Sequence, residues 1–232
     1  MPEILTVLTG ATRGLGHALY RELRSRGETV IVIGRRLEGL RAEKEGPILV
    51  EFDLARAAKP DAAVRLAELL GEALAGQVFD RLVFISNAGI VEPIGQVGGL
   101  GPADVAAAAA INLVAPAIIA DTCWRAAELK GAAFRVLNIS SGAALRPIPG
   151  WAAYCATKAG ARMFFDVLAA EEGGAEVRHI DPGVVDTDMQ AVIRSTDHER
   201  FPLVEQFVTL AQEGRLQTPE AVAERILREH FP

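Results

Sequence analysis

Short β-branched runs alternate with longer amphipathic segments along this chain, and that alternation constrains the fold more than any other feature. Ile4–Thr9, Thr29–Ile33, Ile48–Phe52, Leu82–Ile85, Arg135–Ile139 and Val177–Ile180 have the length and apolar character of buried strands. Between them stand segments with apolar residues at helical spacing: Leu15–Arg26, stopped by Gly27; Asp61–Ala75, stopped by Gly76; Pro102 to about Lys130; and Trp151 to about Glu172. Thr218 as N-cap and Pro219 at the first helical position open a last helix to about Glu229. Strands of this kind, joined through helices, make a parallel sheet covered on both faces, and right-handed crossovers make it doubly wound. The expectation is an α/β fold in one domain spanning residues 1–232. Ligands then belong at the carboxyl ends of the strands. Asp188–Gly214 is less regular and is expected to cover something.

Composition excludes several alternatives. Half of the 232 residues are hydrophobic and 23% are charged, which is the balance of a folded globular protein. A net charge of −6 argues against nucleic acid or an anionic membrane as partner. Cys123 and Cys155 make no disulfide framework, so a reducing compartment is expected. Met1-Pro2-Glu3 brings no basic region, and the apolar run after it is too short for a secretion signal. The longest apolar stretch, Val105–Ala120, contains Asn112 and Pro116 and is expected to fall short of a membrane span. The chain reads as cytoplasmic. His17, His179, His198 and His230 form no metal-binding pattern, and no metal is expected.

Between the first strand and first helix stands Thr9-Gly10-Ala11-Thr12-Arg13-Gly14-Leu15-Gly16. Glycines let the backbone turn sharply and approach a pyrophosphate, and the helix N-terminus offers free N–H groups and partial positive charge. This is the position of the dinucleotide-binding turn in a Rossmann βαβ unit, although the spacing is G-x-x-x-G-x-G. The second strand ends Ile33-Gly34-Arg35-Arg36 with no carboxylate to hold the adenosine ribose. Arg13 and Arg35 could instead grip a 2′-phosphate, which favours NADP(H); Arg36 reads as a solvated side chain.

The helix near residue 151 begins Trp151-Ala152-Ala153-Tyr154-Cys155-Ala156-Thr157-Lys158. Tyr154 and Lys158, four apart, share a face, and an ammonium beside a phenol is expected to lower the phenol pKa. Ser140-Ser141 ends the fifth strand, with no nucleophile elbow and no nearby His. A hydrogen-bonding role toward a developing alkoxide suits Ser141 better than a nucleophilic one. Pro116 removes the helical partner of the Asn112 carbonyl, so a kink is expected there, freeing that oxygen for a water.

Together these motifs resemble the short-chain dehydrogenase/reductase family over nearly the whole chain. The resemblance implies a catalytic set of Asn112, Ser141, Tyr154 and Lys158. It implies cofactor contacts from Gly10, Thr12, Arg13, Gly14, Leu15 and Gly16, then Arg35, then the Asp53-Leu54 pair beside the adenine. Asn87-Ala88-Gly89 after strand four, Tyr154 and Lys158, and the turn Pro182, Gly183, Val185 and Thr187 complete that set. Where a second Asn usually precedes Asn87, this chain has Ser86. The family mechanism implies hydride transfer to a carbonyl carbon, with Tyr154 as general acid, Ser141 polarising the oxygen, and Lys158 binding the nicotinamide ribose.

The second half is similar to a narrower group, the sepiapterin reductases and bacterial benzil-type diketone reductases. Gly150 to Cys155 and Asp186-Thr187-Asp188-Met189-Gln190 carry that likeness. It implies reduction of a ketone or vicinal diketone by NADPH. Ser141, Gly142, Ala143, Leu145, Trp151, Tyr154 and Met189 are the candidate substrate residues. Phe201, Val204 and Phe207 would form a lid within 188–214. The sequence ends at Phe231-Pro232, where a seventh strand would usually begin, so six strands are expected and a pterin substrate is doubted. The 102–130 and 151–172 helices are Ala-rich on more than one face, and the resemblance implies a homodimer through them, since such helices form the family's dimer interface. Two other readings stay open: an NADP-dependent alcohol dehydrogenase for another substrate, and a non-catalytic NADP sensor.

Overall fold

A computed structural model describes residues 3–43, 46–171 and 173–231. Met1, Pro2, Lys44, Glu45, Glu172 and Pro232 lie outside these, and with them the reading of the extreme N-terminus, the expected end of the 151–172 helix and the last position of the chain. Among the described residues six strands form one parallel sheet: β1 (Ile4–Thr9), β2 (Thr29–Gly34), β3 (Ile48–Glu51), β4 (Arg81–Ser86), β5 (Ala133–Ile139) and β6 (Glu176–Ile180). Their order is β3-β2-β1-β4-β5-β6. The chain builds outward from β1 in one direction and from β4 in the other, so the crevice between their carboxyl ends is the switch point of the sheet.

Helices cover both faces. The first half of the chain contributes α1 (Gly14–Ser25), α2 (Glu38–Arg41) and α3 (Pro60–Ala75). Then come α4 (Pro102–Ala109), α5 (Ala115–Lys130) and α6 (Ala152–Ala170). The last three are α7 (Asp188–Arg194), α8 (Val204–Gln212) and α9 (Pro219–His230). Period-two alternation sorts the strand residues. Leu5, Val7, Ile31, Ile33, Leu82 and Phe84 face one layer with α3, α5 and α6. Leu8, Val30, Val32, Val83 and Ile85 face the other, with Leu19, Leu23, Val222 and Ile226 of α1 and α9. The predicted cap of the last helix is present, with the Ala221 N–H donating to Thr218 Oγ1 at 3.2 Å.

Two expectations need correction. The segment 188–214 contains α7 and α8, whose short amphipathic patterns are broken by the Asp197–Pro202 stretch. The helix from Pro102 to Lys130 is continuous for 29 residues and, by length and composition, does reach the dimensions of a membrane span. Its inner side is nonetheless committed to the fold: Ala115, Ile119, Ala120 and Cys123 pack in the core against the sheet. The expected distortion takes the form of a π-helical turn, Ala110–Val114, between α4 and α5. Pro116 has no N–H to give, and the helical ladder resets just before it.

Candidate active site

One cleft of about 480 Å³ runs across the carboxyl ends of the strands. Gly10, Thr12, Arg13, Gly14, Leu15, Gly16, Arg35, Asp53 and Leu54 line one end. Asn87, Ala88, Gly89, Ser141, Gly142, Ala143, Trp151, Tyr154 and Lys158 line the centre and the far end. Pro182, Gly183, Val185, Thr187 and Met189 complete the wall. Almost every residue singled out in the sequence therefore meets in one place.

The glycine turn is shaped by requirement. Gly10 has φ +73° and Gly14 φ +53°, where an L side chain is strained. A Cβ on Gly16 would stand 2.0 Å from the Gly10 carbonyl oxygen. The turn is stitched to the one after β4: Thr9 Oγ1 accepts from the N–H groups of Asn87 (3.1 Å) and Ala88 (3.0 Å), and Asn87 Nδ2 donates to Thr9 O at 3.0 Å. Helix α1 then begins without a side-chain cap or an acidic residue in its first turn. Its leading N–H groups and positive dipole end are left for an anion, so these residues fit a dinucleotide pyrophosphate.

At the other end, Lys158 is buried and its Nζ donates to the Ile139 carbonyl at 2.9 Å, 5.9 Å from the Tyr154 ring centre. Burial lowers its pKa to about 8. Burial also pushes Tyr154 up, to about 12; the Ser141 hydroxyl pulls it down, and Asp181 and Cys155 push it further up. This corrects the expectation of a lowered phenol pKa, because desolvation of the phenol is the largest effect and the Ser141 hydrogen bond that opposes it is smaller. Ser141 caps a single 3₁₀ turn, accepting from the Ala143 N–H at 3.2 Å.

Asn112 does not line the cleft; it braces it. Its Oδ1 accepts from the Ile90 N–H at 2.9 Å, and its Nδ2 donates to Ile90 O (2.9 Å) and Thr157 Oγ1 (3.1 Å). Leu145 is a correction: it is 70% exposed and stands outside the cleft, because the turn after Ser141 aims it at solvent. Thr187 is the N-cap residue of α7, and Asp188 pairs with Arg13 at 2.7 Å. Arg35 lies 3.6 Å from Asp53, and Arg36 is outside the cleft.

A third apolar cluster closes the far end. The Trp151 ring stacks on Phe201 at 4.8 Å, meets Phe207 at 5.6 Å and contacts Tyr154 edge-on at 5.5 Å. Phe207 also lines the cleft. The lining further includes Ile90, Val91, Ile111, Arg146, Ile148, Asp181, Gln190 and Ile193, none of them singled out as cleft residues in the sequence. For Asp181 a signal existed, since it immediately follows the last strand. Gln190 stands in the Asp186–Gln190 run that carries the substrate-side likeness, and Ile193 follows one turn later on α7.

The profile of the short chain dehydrogenase family matches residues 5–198. The chain is a short-chain dehydrogenase/reductase. A benzil reductase ((S)-benzoin forming) of Bacillus cereus is 35% identical, covering 97% of this chain and 95% of its own. The sepiapterin reductase of Bos taurus is 32% identical over 96% of this chain and 88% of its own. Among solved structures, the KRED1-Pglu enzyme superposes with TM-score 0.82 at 28% identity, over 98% of this chain and 96% of its own. A metagenomic short-chain oxidoreductase in complex with NADP does so with TM-score 0.72 at 25% identity, over 100% and 91%. As a member of this family the protein is an oxidoreductase acting on CH–OH/C=O groups of small molecules with a nicotinamide cofactor.

Proposed function

We propose that this short-chain reductase is an NADPH-dependent carbonyl reductase for hydrophobic ketones or vicinal diketones. The observation that carries the reading is the convergence of Ser141, Tyr154 and Lys158 at the carbonyl end of a cleft whose other end presents Arg13 and Arg35. The likeness to benzil and sepiapterin reductases supports the substrate class. Two arginines and no acid at the end of β2 support NADP(H), as does the NADP-bound structural relative.

A dihydronicotinamide held by the glycine turn, the Pro182–Thr187 turn and Lys158 would supply the hydride for the carbonyl carbon. Tyr154 Oη gives a proton to the carbonyl oxygen, and the upward pKa suits a phenol that stays protonated until the oxygen becomes an alkoxide. The Ser141 hydroxyl holds that oxygen. Lys158 offers its ammonium to the nicotinamide ribose and to the phenolate left behind. Asn112 keeps the Ile90 segment and Thr157 in register beneath them. Gly142, Ala143, Trp151 and Met189 shape the substrate wall, and Phe201, Val204 and Phe207 within 188–214 act as its lid.

In this reading the chain is one NADP-binding domain. Exposed Met163, Phe164 and Val167 on α6 and Val105 on α4 support a homodimer through the 102–130 and 151–172 helices. Two free cysteines suit the cytoplasm. The test is NADPH consumption with benzil, a phenyl vicinal diketone, sepiapterin and a simple aldehyde. Turnover of the diketones is expected; tight NADPH binding without turnover of any of them would overturn the reading in favour of a sensor.

A further inference from the structure

Asp181 is a charged group at the carbonyl end of the cleft for which the proposed reaction has no use. It follows β6 directly, and Pro182 fixes the turn that presents it. Its Oδ1 accepts from the Gly183 N–H at 3.0 Å, which sets the orientation of the carboxylate. Its Oδ2 points at Gly142, 3.5 Å from where a Cβ would stand on that residue. Gly142 adjoins Ser141 and lines the same cleft as Tyr154. No cation lies within ion-pair distance of Asp181 among the described residues. The other ionisable side chains lining this part of the cleft are Tyr154, Lys158, buried against the Ile139 carbonyl, Arg146, and Asp188, which is paired with Arg13.

We propose that Asp181 sets the charge selectivity of the carbonyl site: it admits substrates that are neutral beside the reacting carbonyl and turns away those carrying an anionic group there. The inference rests on the carbonyl-reductase reading and adds to it a rule about substrates. An unpaired carboxylate repels a second carboxylate most strongly when the cleft is filled and water is displaced, because the local dielectric falls. A vicinal diketone meets this wall with a second neutral carbonyl. A 2-oxo acid meets it with a like charge. The upward push of Asp181 on the Tyr154 pKa is the same field acting on the neighbouring phenol. Selection here works by repulsion of the wrong substrate, which needs no closer contact with the right one.

The experiment compares 1-phenyl-1,2-propanedione with 2-oxo-2-phenylacetate, the same phenyl ketone bearing a carboxylate. The wild type is expected to favour the dione strongly in kcat/KM. Asp181→Asn keeps the shape and the acceptor for Gly183 N–H, and is expected to raise kcat/KM for the oxo acid relative to the dione at least tenfold. Arg146→Gln is the control for a cation acting alone, and is expected to move the ratio the other way or not at all. Quenching of Trp151 fluorescence by benzoate and by benzamide, added to the NADPH complex, gives a readout without turnover: benzoate binding should tighten in the Asp181→Asn variant and benzamide binding should not. An unchanged ratio overturns the proposal, as does weaker NADPH binding in Asp181→Asn with no change of selectivity, which would make Asp181 a cofactor contact. If the wild type reduces no ketone at all, the parent reading fails first, whereas dione turnover with an unmoved ratio sinks Asp181 alone.

Discussion

Arg13 Nη1 lies 2.7 Å from Asp188 Oδ2, joining the glycine turn to the start of α7 across the mouth of the cleft. The two turns also approach closely here: a Cβ on Gly14 would stand 3.1 Å from Thr187 Cγ2. The guanidinium offered for a 2′-phosphate thus already has an anionic partner. At 75% and 69% side-chain exposure the pair is worth no more than about 1 kcal/mol. A phosphate with two negative charges competes with it readily. Asp188→Asn should therefore tighten NADPH up to roughly fivefold and leave NADH unchanged. Arg13→Gln should weaken NADPH by about tenfold or more, with little effect on NADH. Fluorescence titrations with both cofactors decide it, and equal effects on NADPH and NADH would remove Arg13 from the 2′-phosphate.

Tyr154→Phe deletes the proton donor and keeps the ring that packs against Trp151. The expected loss is roughly 10²–10⁴-fold in kcat, with NADPH affinity preserved. Stopped-flow measurement of hydride transfer would show it, and near-normal turnover would assign the proton to another group.

Lys158 has opposed effects on stability and activity. Its folded pKa, about 8, lies below the ordinary 10.5, so folding disfavours its protonated form. The penalty is fully present below pH 8 and disappears above 10.5, where both states are neutral; between these values the Lys158 contribution makes the protein more stable as pH rises. Lys158→Met should thus stabilise the cofactor-free protein at pH 7, by on the order of 3 kcal/mol at most and with a higher thermal midpoint, while abolishing turnover. In the wild type, reduction should fall as pH rises through about 8. Calorimetry from pH 6 to 10 on both proteins tests the sign.

Gly16→Ala places a Cβ 2.0 Å from the Gly10 carbonyl oxygen, a backbone atom that cannot step aside alone. The turn must open, and NADPH binding should fall by more than about tenfold, with destabilisation of about 1–3 kcal/mol. Isothermal titration and a denaturant midpoint measure the two effects separately.

Asn112→Ala leaves the half-buried Ile90 N–H and carbonyl without their side-chain partner. Each orphaned group costs about 1–3 kcal/mol. The expected outcome is a protein less stable by about 2–5 kcal/mol, with faster amide exchange at Ile90. A mutant as stable as wild type would show that water replaces the side chain there.

Much of this was legible in one dimension. Every strand and the main helices announce themselves through periodicity and their Gly, Pro and Thr boundaries, because the pleat and the α-helix impose fixed repeats on whatever is buried. Gly10, Gly14 and Gly16 are visible because no other residue could close that turn. Tyr154 and Lys158 are visible because one helix carries both. The sequence alone therefore determined a doubly wound sheet and the ends of the strands at which the site would form. What it could not carry is distance between residues remote in the chain and the solvent each group loses. The Arg13–Asp188 and Arg35–Asp53 pairs, the exposure of Leu145, and the grip of Asn112 on Ile90 come from which turns face one another. The upward shift of Tyr154 follows for the same reason: desolvation, its largest cause, belongs to the packed cleft.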